Sequence, residues 1–296
     1  MLTYLFAGLA ACANAVSSVL QRKADKDESS EDNLSLRLIW DLLHKPVWFG
    51  GILAVIAGFL LQATALSAGA LAVVEPVLVL ELPVTLVLAG FVFHRPMHGR
   101  EWAAVVAITA GLAGLLYFLS PSAGTGTRVP DLEWALGIVA TLGAVAGLVA
   151  WSLRPGSDAR RAALLGVATG ISFGLTAAFM KAMTNALAHG FANVFVTWQT
   201  YAMIVTGALA MFLLQSALNA GRLVAAQPGF TGADPVVSIL WGVLVFGEKV
   251  RGGLYLILVG VSVVVAAWGV YLLSSSPLLS GESSGDESES GRSTGR

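Results

Sequence analysis

Phe59-Leu60-Leu61-Gln62 recurs as Phe212-Leu213-Leu214-Gln215, Ala68-Gly69 recurs as Ala220-Gly221 after a one-residue slip, and Pro76, Pro83 and Gly90 fall on Pro228, Pro235 and Gly242 at one constant offset. Both copies lie inside long apolar runs. Chance rarely aligns two prolines and a glycine at one offset inside two apolar runs, so they mark an internal repeat. The meaning of that repeat depends on how many such runs the chain contains.

A helix needs about 20 apolar residues to cross a hydrocarbon core of roughly 30 Å. Runs of that kind lie at 2–20, 47–67, 71–93, 102–119, 134–153, 162–186, 194–218, 223–246 and 254–273. These nine spans predict an all-α, polytopic membrane bundle. The matched pairs are the second and third runs and the seventh and eighth. Equivalent helices are therefore five apart, and an odd shift reverses the direction through the membrane. The expectation is one transmembrane domain, 1–273, made of two inverted repeats: repeat one over 1–120, a linking helix over 134–153 and repeat two over 162–273. Residues 274–296 are rich in Ser, Gly and Glu and read as a disordered cytoplasmic tail.

Composition agrees with lipid as the main solvent. Of 296 residues, 56% are apolar and 12% charged, against about 25% charged in a soluble domain. The net charge is −1 and no element carries a basic stripe, so nucleic acid is excluded as a partner. The single cysteine, Cys12, excludes an intrachain disulfide and a cysteine-based zinc cluster. Leu9-Ala10-Ala11-Cys12 resembles a lipoprotein processing box, but the segment before it holds no Lys or Arg, as a signal peptide would.

Basic residues set the orientation. With the N-terminus outside, the inner segments hold Arg22, Lys23, Lys26, Arg37, Lys45, Arg95, Arg100, Arg154, Arg160, Arg161, Arg222, Arg292 and Arg296, and the outer segments only Arg128, Lys249 and Arg251. The reading is a multi-pass protein of the plasma membrane, N-terminus outside and C-terminus cytoplasmic. The acidic loop 25–32 precedes a segment, 34–43, that reads equally as an interfacial helix or a linker.

Glu75 and Glu81 in the third run and Asp234 in the eighth are the intramembrane acids. A carboxylate at the bilayer centre costs roughly 2.5 to 3.5 kcal/mol on insertion scales, so these groups should face an interior cavity. Glu75 precedes Pro76 and Asp234 precedes Pro235, and a proline inside a helix frees a backbone carbonyl. Carboxylates beside free carbonyls suit a hard cation such as Mg²⁺, which keeps several waters. The candidate substrate or ion-binding residues are Glu75, Glu81, Asp234, Gln62, Gln215 and Gln227, with Glu81 and Asp234 as the metal ligands. Pro76, Pro83, Pro228 and Pro235 are the candidate helix breaks, weighed against simple kinking for packing. On ideal geometry Glu75 and Glu81 differ by about 240° around the helix and need not share a site. One of them is alternatively a proton carrier.

Other polar and small residues receive plainer readings. Gln62 and Gln215 also serve interhelical bonding, Asn14 and Gln199 read as packing polars, and Lys181 as a snorkelling side chain. Gly166, Gly170 and Gly174 permit close helix approach. His94 and His98 flank Pro96 in a loop and read as solvated, not as a metal pair.

The Ala68-Gly69 turn before a proline-containing helix, the Gly247-Glu248-Lys249 ending of the eighth run and the Ser17-Ser18 to Lys23 end of the first resemble the drug/metabolite transporter superfamily (EamA-like) over nearly the whole chain to Leu273. Nine helices with a charged loop after the first look most like the NIPA-type branch, which is associated with magnesium transport. The sequence departs from that branch in carrying Glu75 and Glu81 where small polar residues are expected, and Arg95-Pro96-Met97 where repeat two has Gly-Glu-Lys. The resemblance implies a secondary transporter of a small solute by alternating access, with Mg²⁺ or another divalent cation as the leading substrate and proton-coupled export of an organic metabolite or drug as the alternative. An intramembrane enzyme and an accessory scaffold are the rival classes. No paired-aspartate or His-Glu-x-x-His motif is present, and the Gly-x-Ser-x-Gly stretches, Gly170 to Gly174 inside the sixth apolar run and Gly281 to Gly285 and Gly291 to Gly295 in the polar tail, do not read as strand-to-helix nucleophile turns, so no catalytic residue, no enzymatic activity and no cofactor are expected. The expected partners are the lipid bilayer and the solute, with a homodimer left open.

Overall fold

The computed structural model describes residues 1–26, 46–94, 96–124, 129–221 and 223–274. The segment 34–43, most of the acidic loop, the tail beyond Ser274 and the basic residues Arg37, Lys45, Arg95, Arg128, Arg222, Arg292 and Arg296 lie outside the described residues. Regular structure among the described residues is helical, apart from one antiparallel bridge between Ser122 and Lys249. The helices are α1 (Leu2–Lys26), α2 (Pro46–Ala68), α3 (Leu71–Leu78), α4 (Glu81–Val92), α5 (Gly99–Leu119), α6 (Asp131–Ser152), α7 (Asp158–Leu187), α8 (Phe191–Val196), α9 (Trp198–Ala220), α10 (Leu223–Leu244) and α11 (Tyr255–Ser274). In hydrocarbon a helix satisfies its own backbone groups, which is why an apolar chain of this kind forms little else.

Eight of the expected spans are long and apolar enough to cross a membrane among the described residues, α3 and α4 together forming one of them over Leu71–Val92. The remaining expected span is α10. It has a comparable length, 22 residues, but Gln227, Asp234 and two prolines lower its apolarity, and it is sheltered against α7.

The packing pattern repeats with a shift of five spans. In the first half α1 packs on α2, α3 and α4, and α4 touches α5; in the second α7 packs on α9 and α10, and α10 touches α11. The halves meet where α3 packs on α10 and α5 on α11. The matching turns fix their relative direction. Gly69 packs against Thr3, and its carbonyl accepts from Lys181 near the end of α7, whereas Gly221 packs against Asp158 and Ala162 at the start of α7. Two equivalent corners thus lie at opposite ends of one 30-residue helix, roughly 35 Å apart at 1.5 Å per residue. The repeats run in opposite directions.

Close approach at these contacts depends on glycine, as expected for Gly166, Gly170 and Gly174. A Cβ on Gly170 would lie 2.5 Å from the Phe230 carbonyl oxygen, and one on Gly174 would lie 2.9 Å from Val237 Cβ. The backbone of α10 therefore rests on this stripe of α7.

The four prolines act unequally. Between Pro76 and Pro83 the ladder tightens: Val79 N–H bonds Pro76 O at 3.1 Å, Leu80 N–H bonds Val77 O at 3.0 Å and Leu82 N–H bonds Val79 O at 3.1 Å. These are i to i+3 bonds, a 3₁₀ step that divides the third span into α3 and α4. The expected break at Pro228 and Pro235 does not occur, since both sit inside the continuous helix α10. A proline costs a helix one bond, and the turns around these two are held on α7. The two halves are thus alike in topology and unequal in conformation.

Candidate functional site

A cavity of about 520 Å³ opens between the halves, lined from α1, α2, the α3–α4 span, α7, α9 and α10. Glu75, Glu81, Asp234 and Gln62 all line it. Gln62 Nε2 donates to Glu75 Oε1 at 3.0 Å. Asp234 lies within electrostatic reach of Glu75 and accepts from Ser238 Oγ at 3.3 Å. Glu81 accepts from Ser18 Oγ at 3.3 Å and also bonds Asn14.

The 3₁₀ step explains why Glu75 and Glu81 share a cavity that an ideal helix would deny them. Each residue in such a step turns about 120° instead of about 100°. Four or so tightened residues add roughly 80°, which carries the separation from about 240° to within about 40° of a full turn. The acids occupy unmatched positions in the repeat. Glu75, Glu81 and Asp234 stand against Gln227, Ala233 and Leu82, so the acids are not duplicated between the halves.

Not every candidate residue reaches the cavity. Gln215 is exposed on the outer face of α9. Gln227 is buried near the start of α10, its Oε1 without a hydrogen-bond partner among the described residues, and it does not line the cavity. Repeat equivalence places a residue in an equivalent fold position, but the environment differs once the halves differ. Among the described residues no three His, Cys, Asp or Glu side chains come together as a metal cage, so Glu81 and Asp234 do not form one with a third such ligand. Pro76, Pro228 and Pro235 line a separate apolar crevice of about 70 Å³ between α3, α5, α10 and α11. His98 and Glu101 form a capping box at the start of α5.

Asn14 and Lys181 have larger parts than packing and snorkelling. Asn14 lines the cavity beside Glu81. Lys181 is drawn inward and donates to the carbonyls of Leu66 and Gly69, because those carbonyls close α2 and the turn after it, where a helix leaves acceptors open. Glu248 is a residue that the acids inside the spans did not bring to notice. It is buried, and its carboxylate accepts from Leu71 N–H at 2.6 Å and Ala72 N–H at 2.9 Å, capping the start of α3. Burial pushes the Glu248 carboxyl up, against the opposing effect of these two N–H groups and of the Lys181 charge.

A second, larger space of about 1020 Å³ lies at the Lys181 end of the bundle, with Asp131, Asn185, His189, Asn193 and Gln199 on its walls. Between it and the central cavity stands an aromatic group. Trp134 stacks on Phe179 with ring centres 5.4 Å apart, and Trp198, Trp241 and Phe246 surround the pair. Along α7, Ala177 and Met180 line the central cavity, Phe179 joins the aromatic group and Ala182 lines the second space. Trp241 Nε1 donates to Thr141 Oγ1 at 3.1 Å, which ties this layer to α6.

No family model matches the sequence, and no solved structure matches it. The probable magnesium transporter NIPA9 of Arabidopsis thaliana is 25% identical over 284 residues, covering 91% of this chain and 81% of that protein. An uncharacterized protein of Corynebacterium glutamicum is 30% identical over 256 residues, covering 84% of this chain and 86% of that protein. With that identity over that coverage, this multi-pass helical membrane protein belongs to the same family as the Corynebacterium glutamicum protein.

Proposed function

We propose that the chain is a secondary transporter, of the drug/metabolite transporter superfamily, that carries a small cation through the Glu75–Asp234 cavity by alternating access, with Mg²⁺ as the first candidate. The observation that carries this reading is that Glu75, Asp234, Glu81 and Gln62, from three different spans, face one cavity between inverted halves. Carboxylates facing lipid would be costly, and a cation is the solute that repays their placement there. The printed name of the Arabidopsis thaliana relative supports Mg²⁺, and a cavity of this size with carboxylate and amide oxygens on part of its wall accommodates the ion with part of its water shell.

Alternating access follows from the inequality of the halves. Exchange of their conformations would close the cavity on one face and open it on the other. In this reading the chain divides into repeat one, linking helix and repeat two, and is not an enzyme. The N-terminus and Gly69 corner face outward, and the protein resides in the plasma membrane.

A second reading rests on the other walls. Phe59, Phe173, Phe230, Met180 and Met203 also line the cavity, and aromatic faces and thioethers favour an organic cation over a hydrated metal ion. Flux into proteoliposomes of purified protein separates the two, with Mg²⁺ and an organic ammonium ion each supplied alone and internal pH followed in parallel. Mg²⁺ entry that is lost in Glu75→Gln and Asp234→Asn supports the first reading. Entry of only the organic cation, with proton counterflow, replaces it by the second, and flux in both substituted proteins equal to the parent removes the site.

A further inference from the structure

At the Gly69 corner the two ends of neighbouring helices meet. The last carbonyls of α2 and the first N–H groups of α3 lie a few residues apart, the former an acceptor cluster and the latter a donor cluster. Both are answered from repeat two: Lys181 takes the carbonyls of Leu66 and Gly69, and Glu248 takes the N–H groups of Leu71 and Ala72. The two side chains also attract each other. Gly242 makes room for the Glu248 carboxylate, since a Cβ there would collide with Oε2.

The loop carrying Glu248 is itself anchored. Ser122 and Lys249 exchange backbone hydrogen bonds of 2.9 and 3.2 Å, and Arg251 N–H donates to the Leu119 carbonyl at 2.9 Å. The corner of repeat one is thus held by two charged groups of repeat two, Glu248 on a braced loop and Lys181 on α7. The arrangement is one-sided. At the offset that pairs the prolines, Pro96 stands against Glu248, and proline offers no carboxylate to the equivalent corner at the other end of the bundle.

The half-helix so gripped is α3, only eight residues long, and it presents Glu75 one turn beyond the capped N–H groups. We propose that Glu248 and Lys181 are positioning residues that form a one-sided latch: they hold α3 so that Glu75 faces Gln62, and keep the cavity shut on the Gly69 face. This deepens the transport reading and rests on it. Opening on that face requires the corner and the braced loop to part.

Side-specific labelling tests the latch without reference to the solute. Cys12 is replaced by Ala, Thr176 on the cavity wall by Cys, and a membrane-impermeant maleimide is applied to intact cells and to inverted vesicles. Releasing a buried charge-assisted hydrogen bond should raise the labelling rate from the Gly69 face roughly tenfold in Glu248→Gln, with little change from the other face. Gly242→Ala, which displaces the same carboxylate, and Lys181→Met should act in the same direction, and Glu248→Asp should restore part of the protection. Unchanged labelling in Glu248→Gln, Gly242→Ala and Lys181→Met alike overturns the proposal. So does a rise of equal size from both faces, which means loss of the fold and not release of a latch. Absence of flux in the parent protein with side-specific labelling as expected would defeat the transport reading and leave the latch standing.

Discussion

Gln62 and Glu75 face each other across the α2–α3 corner, the amide of Gln62 donating to the carboxylate at 3.0 Å. Their repeat counterparts do not meet in this way: Gln215 is exposed and Gln227 is buried outside the cavity. The contact therefore belongs to one half in one conformation, and it gives the acid pocket its polarity.

Removing the acid should cost more than removing the amide. Glu75→Gln deletes the charge that attracts a cation and is expected to lower Mg²⁺ flux roughly ten- to hundredfold, while Gln62→Ala leaves the charge and costs a few-fold. In proteoliposomes the double substitution should be no slower than Glu75→Gln alone, because the amide acts through the carboxylate. Additive losses would show instead that Gln62 contacts the solute independently.

Asp234 approaches the cavity from α10 with Ser238 as its hydrogen-bond donor. Asp234→Asn is expected to raise the half-saturating cation concentration by roughly tenfold, and Ser238→Ala by less than about threefold, since the hydroxyl only orients an oxygen. Concentration series of initial flux separate this from a loss of maximal rate. A fall in maximal rate at constant half-saturation would assign Asp234 to the conformational exchange and not to binding.

The bundle and its inverted repeat were legible because prolines and glycines at fixed positions stand out in an apolar sequence, and because direction follows from counting spans. The acids were legible because charge in hydrocarbon is costly. What escaped was decided by backbone. Glu75 and Glu81 share a cavity through a 3₁₀ step whose extra rotation no helical wheel contains. The partners of Lys181 and Glu248 are carbonyl and N–H groups, common to every residue type, and lie more than 100 positions away along the chain. Gln215 and Gln227 were assigned by symmetry that the conformation of the halves does not keep.

The aromatic layer above the cavity is tied to α6 by the Trp241–Thr141 hydrogen bond. Both groups are buried, so Thr141→Val leaves an indole N–H without a partner and should destabilise the protein by about 1 to 3 kcal/mol. Thr141→Ser keeps the hydroxyl and should cost less than half as much. Thermal unfolding in detergent, followed by tryptophan fluorescence, compares the two, and equal midpoints would mean that the bond contributes nothing.

Glycines in these helices divide into those that carry a helix contact and those that do not. On α7, a Cβ at Gly170 meets the Phe230 carbonyl at 2.5 Å and Ala233 Cβ at 2.8 Å, both fixed parts of α10. Neither can yield without moving the helix, so Gly170→Ala should force α7 and α10 apart, at a cost of roughly 1 to 3 kcal/mol. On α6, Gly143 and Gly147 have no atom within 4 Å of the added carbon. Ala at either position should leave the unfolding midpoint unchanged or raise it, since glycine weakens a helix by about 1 kcal/mol relative to alanine. Because Asp234 and the Gly170 contact share the same stretch of α10, Gly170→Ala should also displace the carboxylate and slow cation flux, while Gly147→Ala should not. A Gly170→Ala protein with parent stability and parent flux would mean that α10 does not rest on α7 in the membrane, and the cavity walls would have to be drawn differently.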